Sequence, residues 1–240
     1  MAGAVGRAYV GTSGFAYREW RPSFYPEKMP EKQFLPYYAS KLAAVEIDYT
    51  FYRMPSASTL DGWVGATPEG FKFSVKASQK ITHFERLRLP SDSLTYLMSV
   101  VPRLGDRLGA VLWQLPPNFK RSLERLEPFL AQLPRSIPSV FEFRHESWFV
   151  PEVYRLLESR GVGLVINDGD DGCTPIERTA PLVYLRLRRA AYADAERAAW
   201  CERIRSWTKE GDVLAFVKHE DNPDAPLIAM TFAEEVGATV

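Results

Sequence analysis

The chain is poor in the residues that build disulfide frameworks and histidine-rich metal centres. Its 240 residues include two cysteines and three histidines. Cys173 and Cys201 lie far apart and show neither a paired framework nor the short spacing of a zinc site. The histidines stand on separate segments without H-E-x-x-H spacing. We therefore expect a reducing compartment and no multinuclear zinc centre, and we assign no metal ligand and no cofactor.

Neither sign of charge is in excess. Thirty Lys and Arg residues balance 30 Asp and Glu residues, so no overall positive field draws the chain to nucleic acid or acidic lipid. No run approaches the roughly 18 apolar residues needed to cross a bilayer, and Met1–Tyr9 lacks the apolar stretch of a signal peptide. These absences predict a cytoplasmic protein that does not bind membranes.

Two common catalytic signatures are also missing. The segment Gly11–Gly14, after the first strand candidate, is not the G-x-G-x-x-G turn of a dinucleotide-binding sheet. No serine occupies a G-x-S-x-G elbow, and neither cysteine has a neighbouring base. An open doubly wound sheet is therefore the weaker architecture, and acyl-enzyme chemistry has no support.

Short apolar segments recur along the whole chain, and most lack in/out alternation, as parallel strands buried on both faces do. Segments with helical periodicity separate them, and this alternation predicts right-handed βαβ units. The predicted strands are Ala8–Thr12, Ala44–Asp48, Phe71–Lys76, Ala110–Leu115, Ser139–Arg144, Gly163–Asp168, Leu182–Leu187 and Val213–Lys218. The predicted helices are Gln33–Leu42, Asp92–Leu104, Leu123–Leu133, Glu152–Arg160 and Ala195–Lys209.

These elements predict the α/β class and a single (β/α)8 TIM-type barrel domain over residues 1–240. The length suits one barrel, since such domains run to about 200–250 residues. The segment Gly169–Pro181 is too short and too rich in Gly, Asp and Pro for a regular helix. We expect a loop to replace one barrel helix there, between the sixth and seventh strands.

Polar or charged residues end nearly every predicted strand, which is where barrel enzymes carry their functional side chains. For any one of them, a solvent-exposed strand end is an equally good explanation. Lys76 and Glu142, however, lie inside apolar runs, where an unpaired charge is costly to bury. Period-two geometry puts charged pairs on common strand faces. The pairs are Glu46 with Asp48, Glu142 with Arg144, and Arg186 with Arg188.

We predict one hydrogen-bonded cluster at this mouth of the barrel. Glu46, Lys76, Glu142 and Arg144 form its centre, because opposite charges that converge on the axis offset the cost of burial. Asp168 and Arg186 extend it. A purely structural ion-pair network is the alternative.

Several longer motifs resemble those of the YecE-like family, in order from about Tyr9 to Asp168. The motifs are Gly11–Gly14, Val45–Arg53, Phe73–Ala77, Ile81–His83, Gln114–Pro117 and Glu142–Trp148. That family is a barrel-fold domain of unknown function, so the resemblance implies a barrel and no established reaction. The positions that match its polar or aromatic pattern are Glu46, Thr50, Tyr52, Arg53, Lys76, His83, Gln114, Glu142, Arg144, His145, Trp148, Asp168 and Arg186.

Three departures from the family pattern bear on the pocket. Asp48 stands where the family usually has Asn. Arg188-Arg189 stands where it commonly has His-Gly, and Lys218-His219 where it commonly has Asn-Asn. The C-terminal third of the pocket is therefore expected to be more cationic than the resemblance implies.

The candidate site combines acid/base groups with anion-binding groups. Carboxylates and a desolvated lysine suit general acid/base work, and guanidinium groups bind phosphate or carboxylate bidentately. For Trp148 the alternative to ligand binding is packing in the core. For each arginine the alternative is pairing with a carboxylate. The catalytic candidates are Glu46, Lys76, Glu142 and Asp168. The ligand-binding candidates are Tyr52, Arg53, His83, Gln114, Arg144, His145, Trp148, Arg186, Arg188 and Lys218.

The leading hypothesis is an enzyme that acts on a small anionic ligand, phosphorylated or polyhydroxylated. A nucleic-acid-binding protein is the rival, motivated by Arg188, Arg189, Lys218 and the basic stretch Lys80–Arg88, and a noncatalytic scaffold is the third reading. A Mg²⁺ or Mn²⁺ site built from the acidic catalytic candidates stays open, although nearby Lys and Arg compete for the same carboxylates. The sequence predicts no oligomeric state.

Overall fold

Eight parallel strands close into a barrel in the computed structural model, which describes residues 5–218 and 223–238. Each barrel strand pairs with the next along the chain, and the pairing of the first with the last closes the sheet. The strands are β1 (Ala8–Ser13), β2 (Ala44–Ile47), β3 (Lys72–Lys76), β4 (Leu108–Gln114), β5 (Ser139–Glu142), β6 (Gly163–Gly169), β7 (Gly172–Cys173), β8 (Val183–Leu187) and β9 (Val213–Val217). All eight predicted barrel strands are confirmed.

Seven α-helices cover the barrel within the described residues. They are α1 (Phe34–Ala39), α2 (Ala57–Gly65), α3 (Asp92–Val100), α4 (Leu123–Gln132), α5 (Pro151–Arg160), α6 (Asp194–Trp207) and α7 (Ala225–Val236). The sequence did not predict α2 or α7. In α2 only Leu60 is buried, so its apolar periodicity is weak. None of the helices in residues 5–218 and 223–238 is long and apolar enough to cross a bilayer.

The predicted loop between the sixth and seventh barrel strands is confirmed. After β6 the chain turns back and adds β7, which pairs antiparallel with the end of β6. Thr174 holds this loop to Asn167, because its hydroxyl accepts the Asn167 N–H at 2.9 Å. The extra strand β7 lies in this loop and is not part of the closed barrel.

The interior of the barrel changes from apolar to polar along its axis. One cluster of buried apolar side chains fills the interior, and a larger one lies between the sheet and the helices. Since side chains alternate along a strand, the residue two positions after each interior apolar side chain faces the axis nearer the mouth. These successions are Ala44 to Glu46, Leu112 to Gln114, Val140 to Glu142, Val165 to Asn167, Tyr184 to Arg186 and Phe216 to Lys218.

The contact between β1 and β2 includes a side-chain hydroxyl. Tyr38 of α1 accepts the Thr12 N–H at 2.8 Å and donates to the Ala44 carbonyl at 2.9 Å. At Gly11 a Cβ atom would lie 1.8 Å from the Ala44 oxygen. Glycine therefore permits the close approach of these two strands beside the tyrosine.

We expect Gly11→Ala to lower the free energy of unfolding by about 3 kcal/mol, because the added methyl group overpacks a site bounded by backbone. Urea denaturation measures the loss. The matched control is Gly62→Ala in α2, where a Cβ atom meets nothing within 4 Å, and we expect it to gain roughly 0.5–1 kcal/mol. A Gly11→Ala variant as stable as the parent chain would contradict the β1–β2 geometry.

Candidate functional site

Arg186 of β8 lies between two buried carboxylates at the mouth of the barrel. Its Nη2 atom is 2.7 Å from Glu46 Oε1, and its Nη1 atom is 2.7 Å from Glu142 Oε2. All three side chains are sealed from solvent, with at most 5% of any of them exposed. Two negative charges thus surround one positive charge in a low-dielectric interior.

Further hydrogen bonds reach both carboxylates. Ser13 and Tyr184 each donate to Glu46 at 2.6 Å, and Gln114 donates to Glu142 at 2.9 Å. Burial alone raises the pKa of Glu46, but Arg186, Ser13 and Tyr184 together outweigh burial and lower that pKa to about 2. The pKa of Glu142 is also lowered, since Arg186 and Gln114 outweigh its burial. Both carboxylates are therefore ionised at neutral pH.

Lys76 and Asp48 form the outer part of the cluster. Lys76 Nζ is 3.2 Å from Asp48 Oδ1 and 4.7 Å from the centre of the Phe51 ring. Asp48 Oδ1 is also 3.8 Å from Arg186, which links the outer pair to the sealed part. Burial, and then the charge of Glu46, raise the pKa of Asp48 against the influence of Arg186 and Lys76. The two side chains are 12% and 19% exposed, so this pair brings the cluster to solvent.

A cavity of about 600 Å³ opens beside this outer pair. Asp48 and Lys76 line it, and aromatic rings supply most of its other walls. We call it the aromatic cavity. Its aromatic lining residues are Phe15, Tyr17, Tyr49, Tyr52 and Trp63. It therefore offers flat apolar faces for a ring and one charged pair for a polar group.

His83 lies on the connection between β3 and α3, in a π-helical turn over Lys80–Phe84. Its ring packs edge to face on Phe51, with centroids 4.8 Å apart, and its Nδ1 is 2.9 Å from the Thr82 hydroxyl. Burial, and then the positive charges of Lys76 and Arg144, lower the pKa of His83 to about 4. The imidazole is therefore neutral at pH 7.

The prediction that Arg144 belongs to the centre of the cluster is wrong, and Arg186 takes that place. The strand β5 ends at Glu142, so the chain leaves the sheet before Arg144, whose side chain is exposed. The next residue, His145, uses Nδ1 to accept the Ser147 N–H at 3.1 Å. Arg53 and Tyr52 are exposed, and only Tyr52 lines the aromatic cavity.

Asp168 and Trp148 also lie outside the cluster. Val165 and Asn167 face the barrel axis, so Asp168 faces away from it. There it accepts from Nε1 of Trp200 in α6 and from Nε of Arg189 before α6, at 2.9 Å each. Trp148 is fully buried, stacks on Phe143 at 4.6 Å, and donates to the Phe119 carbonyl at 2.7 Å. These contacts place Asp168 in a structural ion pair and Trp148 in the core.

Arg188 and Lys218 continue two inward-facing rows at the rim. Their backbone N–H groups donate to the Asp168 and Leu187 carbonyls at 2.7 and 2.9 Å, and both side chains are half-buried. The charge of Arg188 helps to lower the pKa of Glu142. His219, which follows Lys218, lies outside the described residues.

The three acidic candidates do not converge on a metal site. Arg186 stands between Glu46 and Glu142, and Asp168 lies on the other face of its strand. Within residues 5–218 and 223–238, no three His, Cys, Asp or Glu side chains are grouped so that they could hold a metal ion. The arginine thus uses the carboxylate oxygens that a divalent cation would need.

Replacement of Arg186 by Met should lower the free energy of unfolding by about 3–5 kcal/mol, because Glu46 and Glu142 would stay buried without a counter-charge. Chemical denaturation measures this loss. Arg103→Met is the control, since Arg103 pairs with Asp61 at the surface, and such pairs contribute little. Equal effects of the two substitutions would refute a special role for the buried cluster.

Acid should destabilise the chain through Glu46. Its folded-state pKa of about 2 lies below the ordinary value, so its contribution is complete above about pH 5 and disappears as the pH falls through 4 toward 2. The full contribution is on the order of 3 kcal/mol. Urea denaturation between pH 6 and pH 3 should show a steeper decline for the parent chain than for Glu46→Gln. Parallel declines would contradict the lowered pKa.

Comparison with known proteins agrees with the barrel. Residues 9–240 match the family described as "Protein of unknown function DUF72". The UPF0759 protein YunF of Bacillus subtilis is 36% identical over an alignment of 155 residues, which covers 61% of this chain and 54% of that protein. The match thus spans about half the length of that relative.

Two crystal structures of DUF72 family proteins are also similar. The protein from Thermotoga maritima superposes with a TM-score of 0.83 at 26% identity, over 96% of this chain and 99% of that one. A protein from Enterococcus faecalis superposes with a TM-score of 0.79 at 21% identity, over 97% and 96% of the two chains. The family match covers nearly the whole sequence, and the chain therefore belongs to the DUF72 family.

Proposed function

We propose that the chain is an enzyme that transfers a proton to or from a small anionic ligand, with Lys76 as the acid/base group. One observation carries this proposal. The pair of Lys76 and Asp48 is the part of the charged cluster that lines the aromatic cavity. A lysine fixed by a carboxylate beside a concave aromatic wall is suited to general acid/base work.

The sealed residues take positioning roles in this proposal. Both oxygens of Glu46 and Oε2 of Glu142 already accept hydrogen bonds from other members of the cluster. Both side chains are also buried, so their part is to hold the outer pair. Arg186 in turn holds Asp48 from 3.8 Å away. The rigid inner cluster thus fixes Asp48, and Asp48 fixes the ammonium group of Lys76. Asp168 has no part in the reaction.

The ligand class follows from the cavity. A volume of about 600 Å³ suits a small molecule, and the aromatic walls suit a sugar ring or a nucleobase. Lys76 is positioned for a negative group, and Arg188 and Lys218 at the rim add positive charge. A nucleic-acid backbone has less support, because the lining is concave and not an open basic track. The YecE-like assignment and a cytoplasmic location stay predictions from the sequence.

Binding is tested by a thermal-shift screen of sugar phosphates, nucleotides and small carboxylates. A ligand at one hundred times its Kd should stabilise the chain by about 2.7 kcal/mol. Lys76→Gln should reduce that stabilisation. The control is Lys72→Gln at the other end of the same strand, where the ammonium group donates to the Asp106 carbonyl, and it should keep the full effect. Absence of any stabilisation across the three classes would overturn the proposal.

Catalysis is tested with proton NMR, which measures how fast the protein converts the ligand found in the binding screen. Lys76→Gln should lower the turnover rate at least about 100-fold, which is the lower range for loss of a general acid or base. Asp48→Asn should still bind the ligand, because the amide oxygen can accept a hydrogen bond from Lys76 and the family resemblance implies that Asn is compatible with this fold. Unchanged turnover in Lys76→Gln would exclude Lys76 as the acid/base group.

A further inference from the structure

A second cavity adjoins the aromatic cavity on the side of α3. Its volume is about 400 Å³. We call it the second cavity. The lining residues that bear on its chemistry are Tyr52, Arg53, Ser78, Lys80, Asp92 and Tyr96. They come from the segment after β2, the segment after β3 and the start of α3, so three separate parts of the chain build this wall.

Tyr52 belongs to both cavities. Its side chain is 72% exposed, and it lines the aromatic cavity as well as the second cavity. Its ring packs edge to face on Phe51 at 5.1 Å, and Phe51 also carries the Lys76 ammonium group on its face. A ligand that holds a ring against the aromatic walls can therefore extend past Tyr52 into the second cavity.

The second cavity carries a surplus of positive charge. Arg53 and Lys80 line it and form no ion pair with any described residue. Asp92 is the only carboxylate among its described lining residues. Tyr96 is held in the wall by the hydrogen bond from its hydroxyl to the Pro55 carbonyl at 3.2 Å. Two cations without partners facing one carboxylate leave the lining with a net attraction for an anion.

A buried hydroxyl adds a hydrogen-bond donor. Ser78 is only 2% exposed, and its Oγ accepts the Lys80 N–H at 3.3 Å. In the part of the chain that the structure describes, the Ser78 hydroxyl proton has no acceptor. The second cavity therefore offers a guanidinium, an ammonium and a hydroxyl donor together, which is the set that binds phosphate oxygens.

We propose that the second cavity is a phosphate subsite for the ligand whose ring occupies the aromatic cavity. The ligand class is a phosphate monoester of a sugar or of a nucleoside. Arg53, Lys80 and Ser78 donate to the phosphate oxygens, and Tyr52 separates the phosphate from the ring. This inference rests on the proposed function for the position of the ring.

Calorimetric titrations with two matched pairs of compounds test the subsite. Ribose 5-phosphate and adenosine 5′-monophosphate are compared with ribose and adenosine. In the double variant Arg53→Gln/Lys80→Gln, the affinity for the phosphate ester that binds should fall at least about tenfold, because two charged donors are lost. The affinity for its unphosphorylated counterpart should not change. Asp92→Asn should raise the affinity for the phosphate ester, because it removes the opposing negative charge.

Arg88→Gln is the control, because Arg88 is an exposed cation on the same connection that does not line the second cavity. It should leave every affinity unchanged. Absence of binding by both esters, or an unchanged affinity in the double variant, would overturn the subsite. If the double variant binds normally while Lys76→Gln does not, the proposed function stands without this subsite. If only the double variant loses binding, the subsite stands and the role of Lys76 fails.

Discussion

The mouth of the barrel depends on a guanidinium group held between two carboxylates that water does not reach. Transfer of such ions from water costs several kcal/mol each, and their mutual attraction offsets this only when the geometry is good and the spare oxygens are satisfied. Arg186 contacts Glu46 and Glu142 at 2.7 Å each. Ser13, Tyr184 and Gln114 donate further hydrogen bonds to the two carboxylates. The apolar interior below therefore ends in a layer of buried, ion-paired side chains.

That layer explains why we propose chemistry at its edge. The inner residues are buried and bonded to one another, whereas Lys76 and Asp48 rest on them and line the aromatic cavity. The neutral imidazole of His83 contacts the same Phe51 ring that Lys76 covers. A rigid inner shell and a reachable outer pair are the arrangement that a preorganised site requires.

The alternation of side chains along the strands made much of the barrel and of its inner cluster predictable from the sequence. Buried parallel strands read as continuous apolar runs, so all eight were found, and period two placed Glu46, Glu142 and Arg186 on the axis. Tyr184 was missed, although it lies two residues before Arg186 on the same face. The prediction for Arg144 was wrong because β5 ends at Glu142 and the chain continues as a loop. The prediction for Asp168 was wrong because it used only the position at a strand end. The in/out alternation along the strand, set by Val165, turns Asp168 away from the axis. The prediction for Trp148 was wrong because no local pattern separates a core tryptophan from an exposed one.

The claim that Arg186 holds Glu46 ionised inside the barrel is tested most directly by the titration of that one carboxyl group. Carbon-13 NMR of the Glu46 side chain, assigned by comparison with Glu46→Gln, follows its protonation as the pH is lowered. The structure predicts a pKa of about 2, so the signal should stay that of a carboxylate throughout the range in which exposed glutamates titrate. A Glu46 pKa at or above about 4.3, the value of a free glutamate, would contradict the account.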